Sequence, residues 1–503
     1  MNRGRSVALV LACTVALIAS LVTMSPASPA DTSLEGPITT GNGLFFVGST
    51  TFDLGSVGYR QDEFFLSGTA RSYTSSKALS RNGKWVVKPA ASAPFKTRIV
   101  VYRPVVPKKF NGTVVVEWLN VTAGIDSAAI WLQGHDQLMR EGAVYVGVSA
   151  QQAGVSGGGV MSQLAATAGF GGGLKAIDPA RYGTLEHPGD SFSYDIFTQA
   201  GKAVRRQSAK LLGGLRPKTV LAIGESQSAG RMTTYLNAVT PSTTAFDGYL
   251  VYSRGGAGAP LAQAPQQALT PPTPTFIRTD LRQPVLIFTT EADLMALGYL
   301  AARQPDTKRL RNWEVPGTAH DDTYGLVISR GDTGTEDADI AAFQSMMSPP
   351  ASAIPGILDC ALPINAGSHT YEVRAALKAL ERWGRTGSAA PRSPRLVVNN
   401  QEQGTFQLDA NGNARGGIRR PQVDAPIAKL SGVGQPSETG NLCRAFGTTV
   451  PFDSAQLTAL YPTHDAFVTD WNHAVDKEVR AGYLLPADAT KLKAAAAQST
   501  IPG

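Results

Sequence analysis

The segment Gly224-Glu225-Ser226-Gln227-Ser228-Ala229-Gly230 sets a serine between small residues two positions to either side. That spacing suits a nucleophile on a tight strand-to-helix turn, where larger flanking side chains would collide. Ser228 stands where a second glycine is more usual, and the bland alternative is a serine that merely caps a helix. A free serine hydroxyl is a weak nucleophile, so Ser226 requires a base and an acid that orients the base. Four histidines follow it, His320, His369, His464 and His473. Of these, His320 leaves a short apolar run through Pro316-Gly317-Thr318, the loop in which a base belongs. The acid is expected between them in chain order, and Glu291-Ala292-Asp293 closes the preceding apolar run. Asp293 suits the turn better, with Glu291 as the alternative. The set Ser226, Asp293 and His320 would transfer an acyl group from a carbonyl carbon to serine. Two backbone N–H groups should face the developing oxyanion. Gln227 supplies one, and the loop Leu119 to Gly124 the other, with Asn120 and Val121 as candidates. Glu117 reads equally as a functional or a buried, hydrogen-bonded carboxylate, and Glu186, His187 and Asp190 read as capping and loop packing.

These residues need strands that deliver them to one edge. Short β-branched runs recur at Phe64 to Tyr73, Arg98 to Val105, Thr113 to Leu119, Ala143 to Ala150, Thr219 to Gly224, Gly248 to Ser253, Val285 to Thr290 and Asn312 to Val315. From Thr113 onward most are continuously apolar, as befits parallel strands covered on both faces, while Phe64 to Tyr73 is mixed and suits an antiparallel edge. The pattern predicts eight strands. Helices are expected over Asp126 to Glu141, opened by a capping Asp126, and over Tyr194 to Leu212. The Gly-, Ala- and Ser-rich stretch Gln151 to Gly173 leaves a strand end and is placed to wall a site, or to act as a lid. Beyond Tyr324 the alternation stops. A helix from Thr370 to Trp383 ended by Gly384, a hairpin over Thr405 to Ile418 around Asp409-Ala410-Asn411-Gly412, and a helical stretch from Asp465 to Leu492 broken near Pro486 are expected.

With 503 residues the chain exceeds a single minimal core, and 43% hydrophobic against 17% charged residues excludes a disordered chain. Arg3 and Arg5 precede an apolar run from Val7 to Val22, and Ser28-Pro29-Ala30 ends on small residues, which reads as a cleaved secretory signal over residues 1–30. An uncleaved anchor is the alternative, and no later stretch is apolar enough to span a bilayer. Loss of Arg3 and Arg5 takes the formal charge from +7 down by two. The remaining cations are scattered without a basic block, so nucleic acid is not an expected partner. Of three cysteines, Cys13 leaves with the signal, and Cys360 and Cys443 read as one disulfide in an exported protein. They are too few for a metal site, and no metal or cofactor is expected.

Beyond these readings, Gly224 to Ser228, Thr290-Glu291-Ala292-Asp293, Arg303 to Thr307 and Trp313 to His320 resemble a family of bacterial α/β-hydrolase-domain proteins. The resemblance extends to Val116 to Asn120, Arg181-Tyr182-Gly183, His187 to Asp190 and Gly416 to Arg419, and so covers most of the chain. It implies an α/β-hydrolase fold and a serine hydrolase site, and says little about substrate. The expected organisation is a core over 31–340 that includes the N-terminal strands, followed by an extension over 341–503 that packs on it. The expected protein is a secreted serine hydrolase acting on a small-molecule or cell-envelope ester. Acyl transfer and amide hydrolysis use the same groups, and a catalytically silent binding protein on the same fold is the reading from another class.

Overall fold

The apolar runs from Thr113 onward form the centre of one mixed sheet, flanked on one side by antiparallel strands. The computed structural model describes residues 32–44, 47–158, 172–350, 352–354, 358–400, 405–435 and 442–503. The expected signal segment and most of the expected wall at 151–173 lie outside the described residues. The strands are β1 (Ser33–Glu35), β2 (Tyr59–Thr74), β3 (Lys88–Pro104), β4 (Thr113–Trp118), β5 (Val144–Val148), β6 (Thr219–Glu225), β7 (Gly248–Tyr252), β8 (Val285–Thr290) and β9 (Leu310–Val315). Their order across the sheet is β1-β2-β3-β5-β4-β6-β7-β8-β9. Pairs from β1 to β5 along this order are antiparallel, and those from β5 through β4 to β9 are parallel. The sheet therefore has nine strands rather than eight. The extra one, β1, pairs only three residues with β2, too few to leave a sequence pattern.

The parallel strands are buried on both faces, and successive residues serve opposite layers. Val114, Val116, Val220, Ala222, Tyr249, Val251 and Ile287 face a layer that includes α2 (Ser193–Arg206) and α3 (Gln227–Ala238). Val115, Leu221, Ile223, Leu250, Leu286 and Phe288 face the other, which includes α1 (Ala129–Glu141). A short helix α4 (Glu291–Met295) follows β8, and α5 (Glu336–Met347) opens the segment beyond the last strand. Next comes α6 (Thr370–Thr386), whose Val373, Ala376, Leu377, Leu380 and Trp383 share the α1 layer. A helix of the expected extension thus covers the sheet itself. By backbone contacts Thr32–Gly503 form one compact unit. Behind it α7 (His464–Ala481) and α8 (Pro486–Ala497) build a further cluster around Phe343, Phe467, Trp471 and Leu492.

Several element ends differ from expectation for local reasons. Helix α1 begins at Ala129, not Asp126, and the Asp126 carboxylate pairs with Arg98 Nη2 at 2.7 Å instead of capping the helix. The Ile130 N–H is taken instead by Glu117 Oε1 at 2.9 Å, and Tyr145 Oη–H donates to Glu117 Oε2 at 2.6 Å. Glu117 is therefore a buried structural carboxylate, its pKa pushed by burial up to about 8. The second expected helix divides at Gln207 into Ser193–Arg206 and Ser208–Leu211. Helix α6 passes through Gly384, which lies against Asp247 and Leu221, and ends at Gly387, whose φ of 78° is the left-handed conformation of a glycine cap. The turn at Asp409 to Gly412 forms, closed by the Asp409 N–H to the Asn413 carbonyl at 2.8 Å. The break between α7 and α8 spans Gly482 to Leu485.

Buried Arg374 joins these layers. Its guanidinium reaches Asp136 at 3.0 Å on α1, Asp332 at 3.1 Å, Asp488 at 3.3 Å on α8, and the Tyr324 hydroxyl at 2.7 Å. None of the described helices is long and apolar enough to cross a membrane. Cys360 and Cys443 are joined, with Cα atoms 5.6 Å apart and a separation of 83 positions in sequence. Closing a loop of that length restricts the unfolded chain by roughly 4 kcal/mol. Replacing both cysteines by serine is expected to lower the unfolding free energy by an amount of that order, read from the denaturant midpoint at constant slope. An unchanged midpoint, or two free thiols in non-reducing mass mapping, would contradict it.

Candidate active site

The sheet order reverses around β4, which is followed in sequence by β5 on one side and flanked by β6 on the other. The carboxyl ends of β4 and β6 at such a reversal are the usual ligand position in an open α/β sheet. Register places Trp118 beside Gly224, Glu225 beside Tyr252, and Thr290 beside Val315, so the loops carrying the candidate residues leave one edge together.

Ser226 joins β6 to α3 with φ 53° and ψ −116°, a conformation that side chains rarely adopt. Its N–H donates to the Tyr252 carbonyl at 2.9 Å, and its own carbonyl accepts from Gly230 N–H at 3.2 Å. A Cβ at Gly224 would stand 2.5 Å from the Ser228 carbonyl oxygen, which explains the glycine two residues before the serine. At the other small position Ser228 is wholly buried, and its hydroxyl donates to the Leu119 carbonyl at 3.1 Å, tying the turn to the loop after β4. The serine that departs from the usual glycine thus has a partner.

Ser226, His320 and Asp293 meet. The Ser226 hydroxyl and His320 Nε2 are 2.7 Å apart, and His320 Nδ1 lies 2.6 Å from Asp293 Oδ1. Asp293 is fully buried, and its other oxygen accepts the Thr290 N–H at 2.8 Å while Thr290 Oγ1 accepts the Asp293 N–H at 3.3 Å. That reciprocal cap at the start of α4 fixes the carboxylate on its backbone. Glu291, the alternative, points elsewhere. Its oxygens accept the N–H groups of Gly317 at 2.5 Å and Gly432 at 2.8 Å, and burial pushes its pKa up to about 7. It holds the histidine loop to the C-terminal segment. The same loop is gripped by Asn365, whose Nδ2 donates to Gly317 and Ser431 carbonyls at 3.2 and 3.0 Å, and by the Ala445 carbonyl, which accepts the His320 N–H at 2.9 Å.

One oxyanion candidate changes. Asn120 donates its N–H to the Ser127 carbonyl at 3.0 Å and cannot also serve an oxyanion. Val121 and Gln227 N–H make no hydrogen bond among the described residues and remain available. The Asn120 side chain instead donates from Nδ2 to Glu225 Oε2 at 2.8 Å, while its Oδ1 accepts the Thr122 N–H at 2.7 Å.

Electrostatically the site is acidic. Burial opposes a charge on His320, but the hydrogen bond and charge of Asp293, followed by the charges of Glu225 and Asp321, prevail and raise its pKa to about 9. Burial raises Glu225 to about 7 despite the opposing pull of His320 and the Asn120 hydrogen bond. Sequence reasoning passed over two features here. Glu225 stands in the sequence only as the unspecified residue between Gly224 and Ser226. The other is the buried Asp322-His369-Tyr252 set: His369 Nδ1 lies 2.8 Å from Asp322, and its Nε2 meets the Tyr252 hydroxyl. It supports the strand end that receives the Ser226 N–H, and 117 positions separate Tyr252 from His369, so no local pattern signals it. His187 and Asp190 do pack a loop, against the Ala150 carbonyl and Arg231.

A family described as "Alpha/beta hydrolase domain" matches residues 34–494. Similar solved structures include a lidless α/β serine hydrolase from Xanthomonas campestris, 13% identical over 45% of this chain and 80% of that one at a TM-score of 0.27. Others are a thermostable esterase from Pseudomonas putida (14%, 48% and 66%, 0.23) and an S-formylglutathione hydrolase from Agrobacterium tumefaciens (14%, 56% and 91%, 0.25). No curated protein matches the sequence.

Glu291 yields a stability test independent of any substrate. Glu291→Ala leaves two buried N–H groups unpaired, each loss being worth about 1–3 kcal/mol. Chemical denaturation is expected to show a destabilisation of roughly 2 kcal/mol or more, and a neutral result would remove Glu291 as the link between the histidine loop and the tail.

Proposed function

The chain belongs to the alpha/beta hydrolase domain family, and on that premise we propose that it is an exported serine hydrolase that cleaves a carboxylic ester through an acyl-enzyme at Ser226. The observation that carries the reading is the continuous hydrogen-bonded chain from the Ser226 hydroxyl through both nitrogens of His320 to Asp293, 2.7 and 2.6 Å in its two steps. In this reading Ser226 Oγ attacks the carbonyl carbon as its proton passes to His320 Nε2. Asp293 holds the ring in the tautomer that leaves Nε2 free to accept, and stabilises the imidazolium that forms. Gln227 and Val121 N–H groups receive the oxyanion. The imidazolium then protonates the leaving alkoxide, and a water activated by the same nitrogen releases the acid. Export is supported by the Cys360–Cys443 bond, since such pairs persist in oxidising compartments.

A fluorophosphonate probe requires an activated serine and an oxyanion site but no knowledge of the natural ester. Labelling is expected in the wild type, to vanish in Ser226→Ala, and to fall strongly in His320→Ala. With chromogenic esters of increasing acyl length, Asp293→Ala should lower turnover by roughly 10⁴, judging from comparable triads. A folded wild type that neither labels nor turns over any ester would favour the silent binding protein.

The pH dependence follows from the sign of the His320 shift. The base must be neutral to accept a proton, and its pKa is raised to about 9. Below that value the imidazolium predominates and activity falls about tenfold per pH unit. The kcat/KM profile should therefore climb through neutral pH toward a limb near pH 9, and a plateau already reached at pH 6 would contradict this.

A further inference from the structure

Glu117, Glu291 and Glu225 are among the carboxylates buried near the carboxyl edge of the sheet, and these three are not satisfied alike. Both oxygens of Glu117 are hydrogen-bonded, to Ile130 N–H and the Tyr145 hydroxyl. Both oxygens of Glu291 are bonded, to Gly317 and Gly432. Glu225 is only 9% exposed, yet just one of its oxygens is held: Oε2 accepts from Asn120. Its Oε1 makes no hydrogen bond among the described residues and lies 3.5 Å from His320 Nε2, the nitrogen that also faces Ser226. A purely structural role at this position would be met at lower desolvation cost by glutamine, which offers Asn120 the same acceptor without a charge.

We propose that Glu225 is a positioning residue for the base, a second carboxylate set across the imidazole from Asp293, which stabilises the proton that His320 takes from Ser226 and thereby sets the pH range in which His320 works. The inference rests on the triad reading above. In the step concerned, the Ser226 O–H bond breaks as Oγ bonds the carbonyl carbon, and the proton moves to Nε2. Glu225 accepts no proton. Its charge faces the new N–H until the leaving alkoxide removes that proton as the ester C–O bond breaks. Asn120, locked by its own backbone pair with Ser127, keeps the carboxylate in place.

The surrounding charges are accounted for. His320 is faced by Asp293 on its Nδ1 side, by Glu225, and by Asp321, its neighbour in sequence. Glu225 is faced by His320 and, more weakly, by Asp293 and His369, and its charge also reaches Glu117, Tyr252 and Asp321. His369 is itself paired with Asp322, and both adjoin Tyr252. Glu225 is thus the carboxylate set against Nε2 itself, so removing its charge should act on that nitrogen.

An opposite charge at this range shifts a titration by about 1–3 pH units. The test is the titration of His320 in resting enzyme, followed by NMR of isotope-labelled imidazoles, with the signal assigned by its loss in His320→Gln. In Glu225→Gln the His320 midpoint is expected to fall by about one pH unit or more. The acid limb of fluorophosphonate labelling should move down with it, so that labelling at pH 8, where Glu225 is mostly ionised, rises about fivefold relative to its own alkaline plateau. Glu225→Asp, which keeps the charge but withdraws it from the ring, should move the limb only part of the way and serves if the glutamine variant does not fold. If the wild type labels and both measurements stay in place in Glu225→Gln, the role of Glu225 is overturned and the triad reading stands. If the wild type does not label, the triad reading fails, and an unmoved imidazole titration would overturn the role of Glu225 as well.

Discussion

The site depends on one backbone residue held where a side chain rarely sits. At φ 53° Ser226 costs on the order of 1–3 kcal/mol relative to a relaxed turn, and the surrounding structure must over-determine it. Four features do so: the hydrogen bond to Tyr252 on the neighbouring strand, the absent side chain at Gly224, the return bond from Gly230, and the Ser228 hydroxyl on Leu119. Together they hold the hydroxyl where, among the described residues, His320 is its hydrogen-bond partner. The β4 loop takes its place from the same set, since Leu119 and Asn120 are both bound to the serine turn while Val121 is left free.

The histidine is positioned by different means. Its loop leaves the last strand of the sheet, where there is no further strand to brace it, and the bracing comes from the C-terminal segment. Gly432 shares the Glu291 carboxylate with Gly317, Asn365 spans Gly317 and Ser431, and Ala445 takes the His320 N–H. Cys443 lies two residues from Ala445, so the disulfide anchors the strap that holds His320. Helix α6 from the same segment supplies Leu380 and Trp383 to the layer beneath the sheet. The tail is therefore part of both the core and the site.

What could be read from the chain was whatever is encoded locally. The parallel strands announce themselves because burial on both faces demands unbroken apolar runs, and the serine turn because its geometry excludes all but small neighbours. Asp293 was preferred to Glu291 on turn position, and the cap with Thr290 is the physical reason that it points inward while Glu291 points away. What was hidden depends on partners far apart in sequence. The Asn120 N–H is taken by the Ser127 carbonyl, and the Asp126 carboxylate faces Arg98 rather than the start of α1. Glu225 carried no sign of its role, because only the meeting of β6 with the loop after β9 shows which nitrogen it faces.

The order of the strap along the chain has a consequence for when the site exists. Synthesis runs from the N-terminus, so a growing chain contains Ser226, Asp293 and His320 well before Asn365, Gly432 and Ala445. Until those later residues arrive, the loop that carries His320 has its bonds to Glu291 and Asp293 but lacks those to Asn365 and Ala445, so its bracing is complete only when the tail has folded over it.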